Sequence, residues 1–212
     1  MAFKHLVSAL VLFAFVAVAR QAGAEPLRIV GFGDSLMAGY GLALGDSFTE
    51  RLEKALRDKG FDVAVVNAGV SGDTTSGGLA RLDWSVPDGT GLVILELGAN
   101  DMLRGIDPAL IERNLDAMLA RLKARNIPVL LAGMVAAPNL GHAYGEAFGT
   151  IYPRLAEKYG VPLYPFFLDG VAGDTALALE DAMHPDAAGV RRIVEGILPT
   201  VEKTLAALTR KP

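Results

Sequence analysis

Apolar, β-branched runs that alternate with amphipathic stretches constrain this chain more than any other feature. Leu27–Phe32 (LRIVGF), Asp62–Val66, Leu92–Leu97 (LVILEL), Pro128–Ala132 and Val161–Tyr164 read as strands. Between and after them lie Ser47–Lys59, Pro108–Asn126, Ala147–Tyr159 and Ala187–Leu208, whose apolar residues recur every three or four positions, as on one face of a helix. Pro199 stands inside the last of these and is a place for a bend. Strand, helix, strand, helix is the order of an α/β chain with a parallel sheet. The strands lack the alternation of a one-sided sheet and so are covered on both faces. Functional residues in such sheets gather beyond the carboxyl ends of the strands. The segments to inspect therefore follow Phe32, Val66, Leu97, Ala132 and Tyr164.

The amino terminus stands apart from this pattern. Lys4 precedes the uncharged apolar stretch Leu6–Ala19, and Ala22-Gly23-Ala24 forms a small-residue cleavage site before Glu25. This is the layout of a secretory signal peptide, and the stretch is short for a membrane span. The expectation is a signal peptide over residues 1–24 and a single mature domain over 25–212, periplasmic or secreted and without a stable membrane anchor after processing. A chain of this length holds one core of ordinary size. The net charge of −4 gives no footprint for nucleic acid, and cleavage removes two further positive charges, Lys4 and Arg20. Cysteine is absent, which excludes a thiolate nucleophile and Cys-based zinc sites. The two histidines of the mature chain, His142 and His184, lie far apart, so a His-rich metal site is not expected.

Four short motifs fall on the post-strand segments. Gly33-Asp34-Ser35-Leu36 places a serine at a strand-to-helix turn, where backbone N–H groups can face a developing oxyanion. Taken alone it serves equally as a helix cap. Leu36 and Met37 stand where a dinucleotide fingerprint and a G-x-S-x-G elbow need glycine, and Ala38 where an S-x-x-K dyad needs lysine. Asn67–Thr75 carries Gly72, at which a ligand can approach the backbone, or which simply makes a turn. Gly98-Ala99-Asn100-Asp101 offers a neutral side-chain donor, or an Asx turn. In Asp181-Ala182-Met183-His184-Pro185 a spacing of three puts a carboxylate and an imidazole on one side of a turn. His142 sits among Gly141 and Gly145 and reads as solvated, leaving His184 as the available base.

In this order the four motifs resemble those of the SGNH hydrolases, the GDSL esterase/lipase family. The resemblance spans the mature chain and is nearest the bacterial periplasmic branch of arylesterases and acyl-CoA thioesterase/lysophospholipases. It implies a three-layer α/β/α sandwich with a flavodoxin-like, five-stranded parallel sheet. It also implies a Ser35–His184–Asp181 triad and an oxyanion hole formed by Ser35, Gly72 and Asn100, with no cofactor and no metal. Ala182 and Met183 are not the residues expected between acid and base, and they leave the local pocket shape open. Asp34 and Asp101 read as structural, bonding loop backbone, with placement of Ser35 as the alternative role for Asp34.

The implied substrates are aryl or short-to-medium acyl esters, with thioesters and lysophospholipids as further candidates. Carbohydrate acetylesterase activity and a non-catalytic binding module are the alternatives. Residues 71–84, with Gly77 and Gly78, read as a mobile loop beside the cleft, and residues 134–144 as a second flanking loop. Leu79, Leu82, Trp84, Ala137, Pro138 and Leu140 are the expected apolar wall. The oligomeric state is left open.

Overall fold

A computed structural model describes residues 25–209. The elements in chain order are β1 (Leu27–Gly33), α1 (Ser35–Ala38), α2 (Phe48–Asp58), β2 (Val63–Gly69), α3 (Thr75–Ser85), β3 (Leu92–Glu96), α4 (Ala99–Leu103) and α5 (Pro108–Ala124). They continue with β4 (Val129–Ala132), α6 (His142–Gly149), α7 (Ile151–Tyr159), β5 (Leu163–Tyr164) and α8 (Ala187–Thr209). The five strands form one parallel sheet in the order β2-β1-β3-β4-β5.

The central strands are the most apolar and the most deeply buried. Ile29, Val30 and Phe32 of β1, all of Leu92–Leu95 in β3, and Leu130–Ala132 in β4 are shielded from solvent. Strand β2 lies at the edge, and its exposed Val66 follows from that place. The two sheet faces are covered by different helices. On one face Gly31 leaves room for Met37 and Thr49, and α2 packs on α8. On the other, Phe32 and Leu97 meet α3 at Gly78, and α3 packs on α5. These are the three layers of the α/β/α sandwich.

Sequence signals fix the helix ends. Ser47 and Glu50 form a capping box at the start of α2, and Asp107 with Pro108 opens α5. The helix expected over Ala147–Tyr159 is two helices, α6 and α7, meeting at Gly149–Thr150. Helix α8 runs through Pro199 without interruption.

Residues 71–84 differ more from expectation. Most of them form helix α3, capped by the Thr74 side chain, which accepts from Gly77 N–H. Gly77 and Gly78 are close-packing positions here. A Cβ on Gly77 would overlap the Asp73 carboxylate, and one on Gly78 would overlap the Leu97 side chain. Gly78, expected to make the segment mobile, instead lets the helix lie close to the sheet, and Gly77 makes room for Asp73.

Sheet order decides where a site can be. Chain direction from β1 leads to β2 on one side, whereas β3 pairs on the other side of β1. Loops leaving the carboxyl ends of β1 and β3 therefore diverge and open a crevice between them, the switch point at which open α/β sheets bind ligands. Ser35 follows β1 and Asn100 follows β3.

Candidate active site

Ser35 is held by a tight local device. Asp34 caps the four-residue helix α1, its Oδ1 accepting the Leu36 N–H at 3.0 Å. The helix ends at once because Gly39 is left-handed, with φ 80°. The serine is thus fixed on a short, stiff turn with only 8% of its surface exposed.

His184 reaches the serine from the segment before α8. Its Nε2 lies 2.9 Å from Ser35 Oγ, and its Nδ1 lies 2.6 Å from Asp181 Oδ2. The other oxygen of Asp181 accepts the backbone N–H groups of Met183 and His184, both at 2.9 Å. These bonds and the bond to the ring hold the Asp181 carboxyl down at about 2. An ionised Asp181 fixes the proton on Nδ1, which leaves the Nε2 lone pair facing the serine hydroxyl. Ala182 completes the turn in the left-handed region, with φ 54°. The turn is pinned by Leu179 N–H, which donates to His184 O at 2.7 Å. The Tyr40 ring lies against the imidazole, with centroids 4.5 Å apart.

The two other residues expected at the oxyanion hole border the same space. Asn100 Nδ2 donates to Asp34 Oδ2 at 3.0 Å, which orients the amide and leaves its second hydrogen for a ligand. Gly72 adopts φ 79°, and its carbonyl is held by Arg104 Nη2 at 2.9 Å. Gly72 takes the left-handed position of a tight turn closed by the Asp73 N–H, which donates to Val70 O at 3.0 Å. Among the described residues, neither the Ser35 nor the Gly72 N–H is taken up by a turn or cap acceptor.

Behind the serine turn lies a pair of buried carboxyls. Glu96, at the end of β3, accepts the Asp34 N–H at 3.2 Å, and its Oε1 has no partner among the described residues. Burial and the nearby Asp34 charge push the Glu96 carboxyl well above the ordinary carboxylate range. Burial also pushes the Asp34 carboxyl up to about 6, against the bonds from Leu36 and Asn100. Asp101 accepts both the N–H and the hydroxyl of Thr75, at 2.8 and 2.6 Å, and ties α4 to α3. Both aspartates therefore do the structural work expected of them.

The cavity beside Ser35 has a volume of about 350 Å³. Besides Ser35, Gly72, Asn100 and His184, its walls include Asp34, Ser71 and Ala99, and the larger side chains there are Leu36, Tyr40, Met102, Leu103, Leu168 and Met183. None of the expected wall residues lines it. Leu79 and Leu140 pack onto the core, and so does Ala137. Trp84 points outward from α3, 76% exposed. Ala137 and Pro138 border a separate open depression together with His142. His142 is the first residue of α6, solvated and remote from the serine network. Inspection of the segment after Tyr164 could have found Leu168. Tyr40 and Leu103 carried a weaker signal, as large apolar residues within a few positions of two of the motifs.

Known proteins resemble this chain along most of its length. The pattern of the GDSL-like Lipase/Acylhydrolase family matches residues 32–192. Esterase TesA of Pseudomonas aeruginosa is 41% identical over 193 residues, covering 91% of this chain and 95% of that protein. An arylesterase of Vibrio mimicus is 43% identical over 180 residues, covering 83% and 87%. Among solved structures, AlinE4, an SGNH-hydrolase family esterase, is 49% identical with a TM-score of 0.72, covering 85% of this chain and 97% of that one. The chain belongs to the GDSL-like lipase/acylhydrolase family of serine ester hydrolases.

Proposed function

We infer that this protein hydrolyses carboxylic esters bearing short or medium acyl groups or an aryl group, with Ser35 as nucleophile, His184 as base and Asp181 as its orienting acid. The observation that carries this reading is the unbroken line from Asp181 Oδ2 through the imidazole to Ser35 Oγ, at 2.6 and 2.9 Å, beside an apolar cavity. Ser35 Oγ adds to the ester carbonyl while its proton passes to His184 Nε2. The resulting oxyanion accepts from the Ser35 and Gly72 N–H groups and from Asn100 Nδ2, donors that gain most when the charge has formed. Collapse breaks the bond to the leaving alcohol or thiol, which takes the proton from His184. Water then adds to the acyl-enzyme by the same route and releases the acid.

A cavity of about 350 Å³ lies at the small end of ligand sites, and its larger wall residues are mainly aliphatic or Met side chains. Aryl and short acyl esters fit it best. The same reading makes residues 25–212 the mature hydrolase, exported across the inner membrane. It rests on the amino-terminal pattern, and residues 1–24 lie outside the described residues. Among the described residues no helix is long and apolar enough to cross a membrane.

The test is a series of p-nitrophenyl esters of rising chain length, with acyl thioesters and lysophospholipids in parallel. Short esters are expected to give the highest kcat/KM. Ser35→Ala is expected to abolish turnover and leave the fold intact, and a fluorophosphonate is expected to label Ser35 alone. Labelling at Ser71 or Ser76 would refute the assignment.

A further inference from the structure

Arg81 lies on α3, outside the cavity, with its side chain only 8% exposed. A guanidinium in such a place needs its donors met, because an unpaired buried charge is costly. Its Nε donates to Asp73 Oδ2 at 2.6 Å, its Nη1 to Ala68 O at 2.8 Å and Ser85 Oγ at 3.3 Å, and its Nη2 to Gly33 O at 2.8 Å. The guanidinium also sits 4.1 Å from the centre of the buried Phe32 ring.

These partners are the ends of the segments that carry the site. Gly33 closes β1, two residues before Ser35. Ala68 is the penultimate residue of β2. Asp73 follows Gly72 directly. One planar group therefore bridges the nucleophile turn and the loop that presents the Gly72 N–H. Two further details fit that bridge. The Gly33 carbonyl also accepts the Val70 N–H at 3.0 Å, so the two segments meet on one oxygen. The absence of a Cβ at Gly77 leaves the space that the Asp73 carboxylate fills.

We propose that Arg81 is a positioning residue for the oxyanion hole, its rigid fork fixing the distance between the Ser35 and Gly72 amides by gripping Gly33 O and the Asp73 carboxylate together. This rests on the roles inferred for Ser35 and Gly72. Both amides must reach one oxygen, and displacement of a catalytic donor by about 1 Å can cost about 10²-fold in rate. A lysine carries the same charge but is a point donor on a flexible stem, unable to span both partners in a fixed plane.

Arg81→Lys and Asp73→Asn, each in the full chain, test this. Labelling by a fluorophosphonate, carried to completion, counts competent Ser35 sites. Steady-state hydrolysis of p-nitrophenyl butyrate then gives KM and kcat per labelled site. An alkylboronic acid reports the tetrahedral anion directly, since Ser35 Oγ adds to boron and its proton passes to His184.

Both variants are expected to label fully and to keep KM within about threefold, with kcat per site reduced by about 10–100-fold and boronate affinity reduced in step. Unchanged kcat per labelled site overturns the proposal, as does a loss confined to the number of sites, which would mark Arg81 as holding the fold only. Should Arg81→Lys fail to fold, Asp73→Asn decides alone, because it leaves both carbonyl bonds of the guanidinium in place. A wild-type chain that neither labels nor turns over refutes the Ser35 reading and this one with it. An active wild type with both variants unaltered refutes this one only.

Discussion

Asn100 has two amide hydrogens, and Asp34 takes one of them at 3.0 Å. The other is free to meet an oxygen that becomes charged only during the reaction. Asn100→Ala is therefore expected to lower kcat by about 10²–10³-fold with little change in KM, measured by steady-state kinetics on a short aryl ester. A change confined to KM would make Asn100 a binding residue instead. In the same assay His184→Ala is expected to be nearly inactive and His142→Ala close to wild type, since the His142 side chain is 93% exposed with only Glu146 nearby, at 3.8 Å. At this scale the sequence is legible where chemistry restricts the choice. Only one histidine has an aspartate three residues before it. The cavity wall was not legible, because any apolar residue near a cleft satisfies the same pattern. Leu79 and Trp84 are neighbours in sequence to the Gly72 loop, yet the rotation of α3 turns the first toward the core and the second toward solvent.

The ends of β1 and β3 are coupled through two carboxyls that charge counting does not reveal. Glu96 interrupts an otherwise apolar strand, and its use becomes visible only when β3 lies beside β1. There it accepts the Asp34 N–H, in a space that a Cβ on Gly33 would occupy. Asp34 is displaced from its ordinary 3.8 up to about 6. Between those values the folded chain keeps a proton that the unfolded chain releases, so the contribution of Asp34 to stability falls as pH rises through that window. Asp34→Asn removes this dependence. The melting temperature of the variant minus that of wild type is expected to shift in favour of the variant from pH 4 to pH 7, read by thermal denaturation at unit intervals. A flat difference would show that Asp34 ionises in the folded protein as it does in the unfolded chain. Helix α3 teaches the same lesson about elements. Two adjacent glycines read as a flexible loop until the folded chain shows what a side chain would strike, the Asp73 carboxylate at Gly77 and Leu97 at Gly78.

At the scale of the whole molecule, the proposed export signal and the hydrolase fold occupy different parts of the chain. Intact-mass measurement on exported protein is expected to give the mass of residues 25–212, with Glu25 at the amino terminus, because Ala22 and Ala24 suit signal-peptide cleavage. A mass that retains Met1–Ala24 would favour an anchor. Within the hydrolase domain, the sequence by itself determined the local terms: the apolar runs that become buried strands, the caps that start α2 and α5, and the residue types able to act as nucleophile, base and donor. Those follow from spacing along the chain. The tertiary structure alone decided the rest. The β2-β1-β3-β4-β5 order opens a crevice between the ends of β1 and β3, and it brings Ser35 to His184 across 149 residues of sequence. It also sets Arg81 between two strand ends and selects Leu36, Tyr40, Met102, Leu103, Leu168 and Met183 as the wall. The physical reason is that these contacts depend on strand order and on the rotation of each helix about its axis. Both are set by packing of the two faces of the sheet, and neither leaves a period in the sequence.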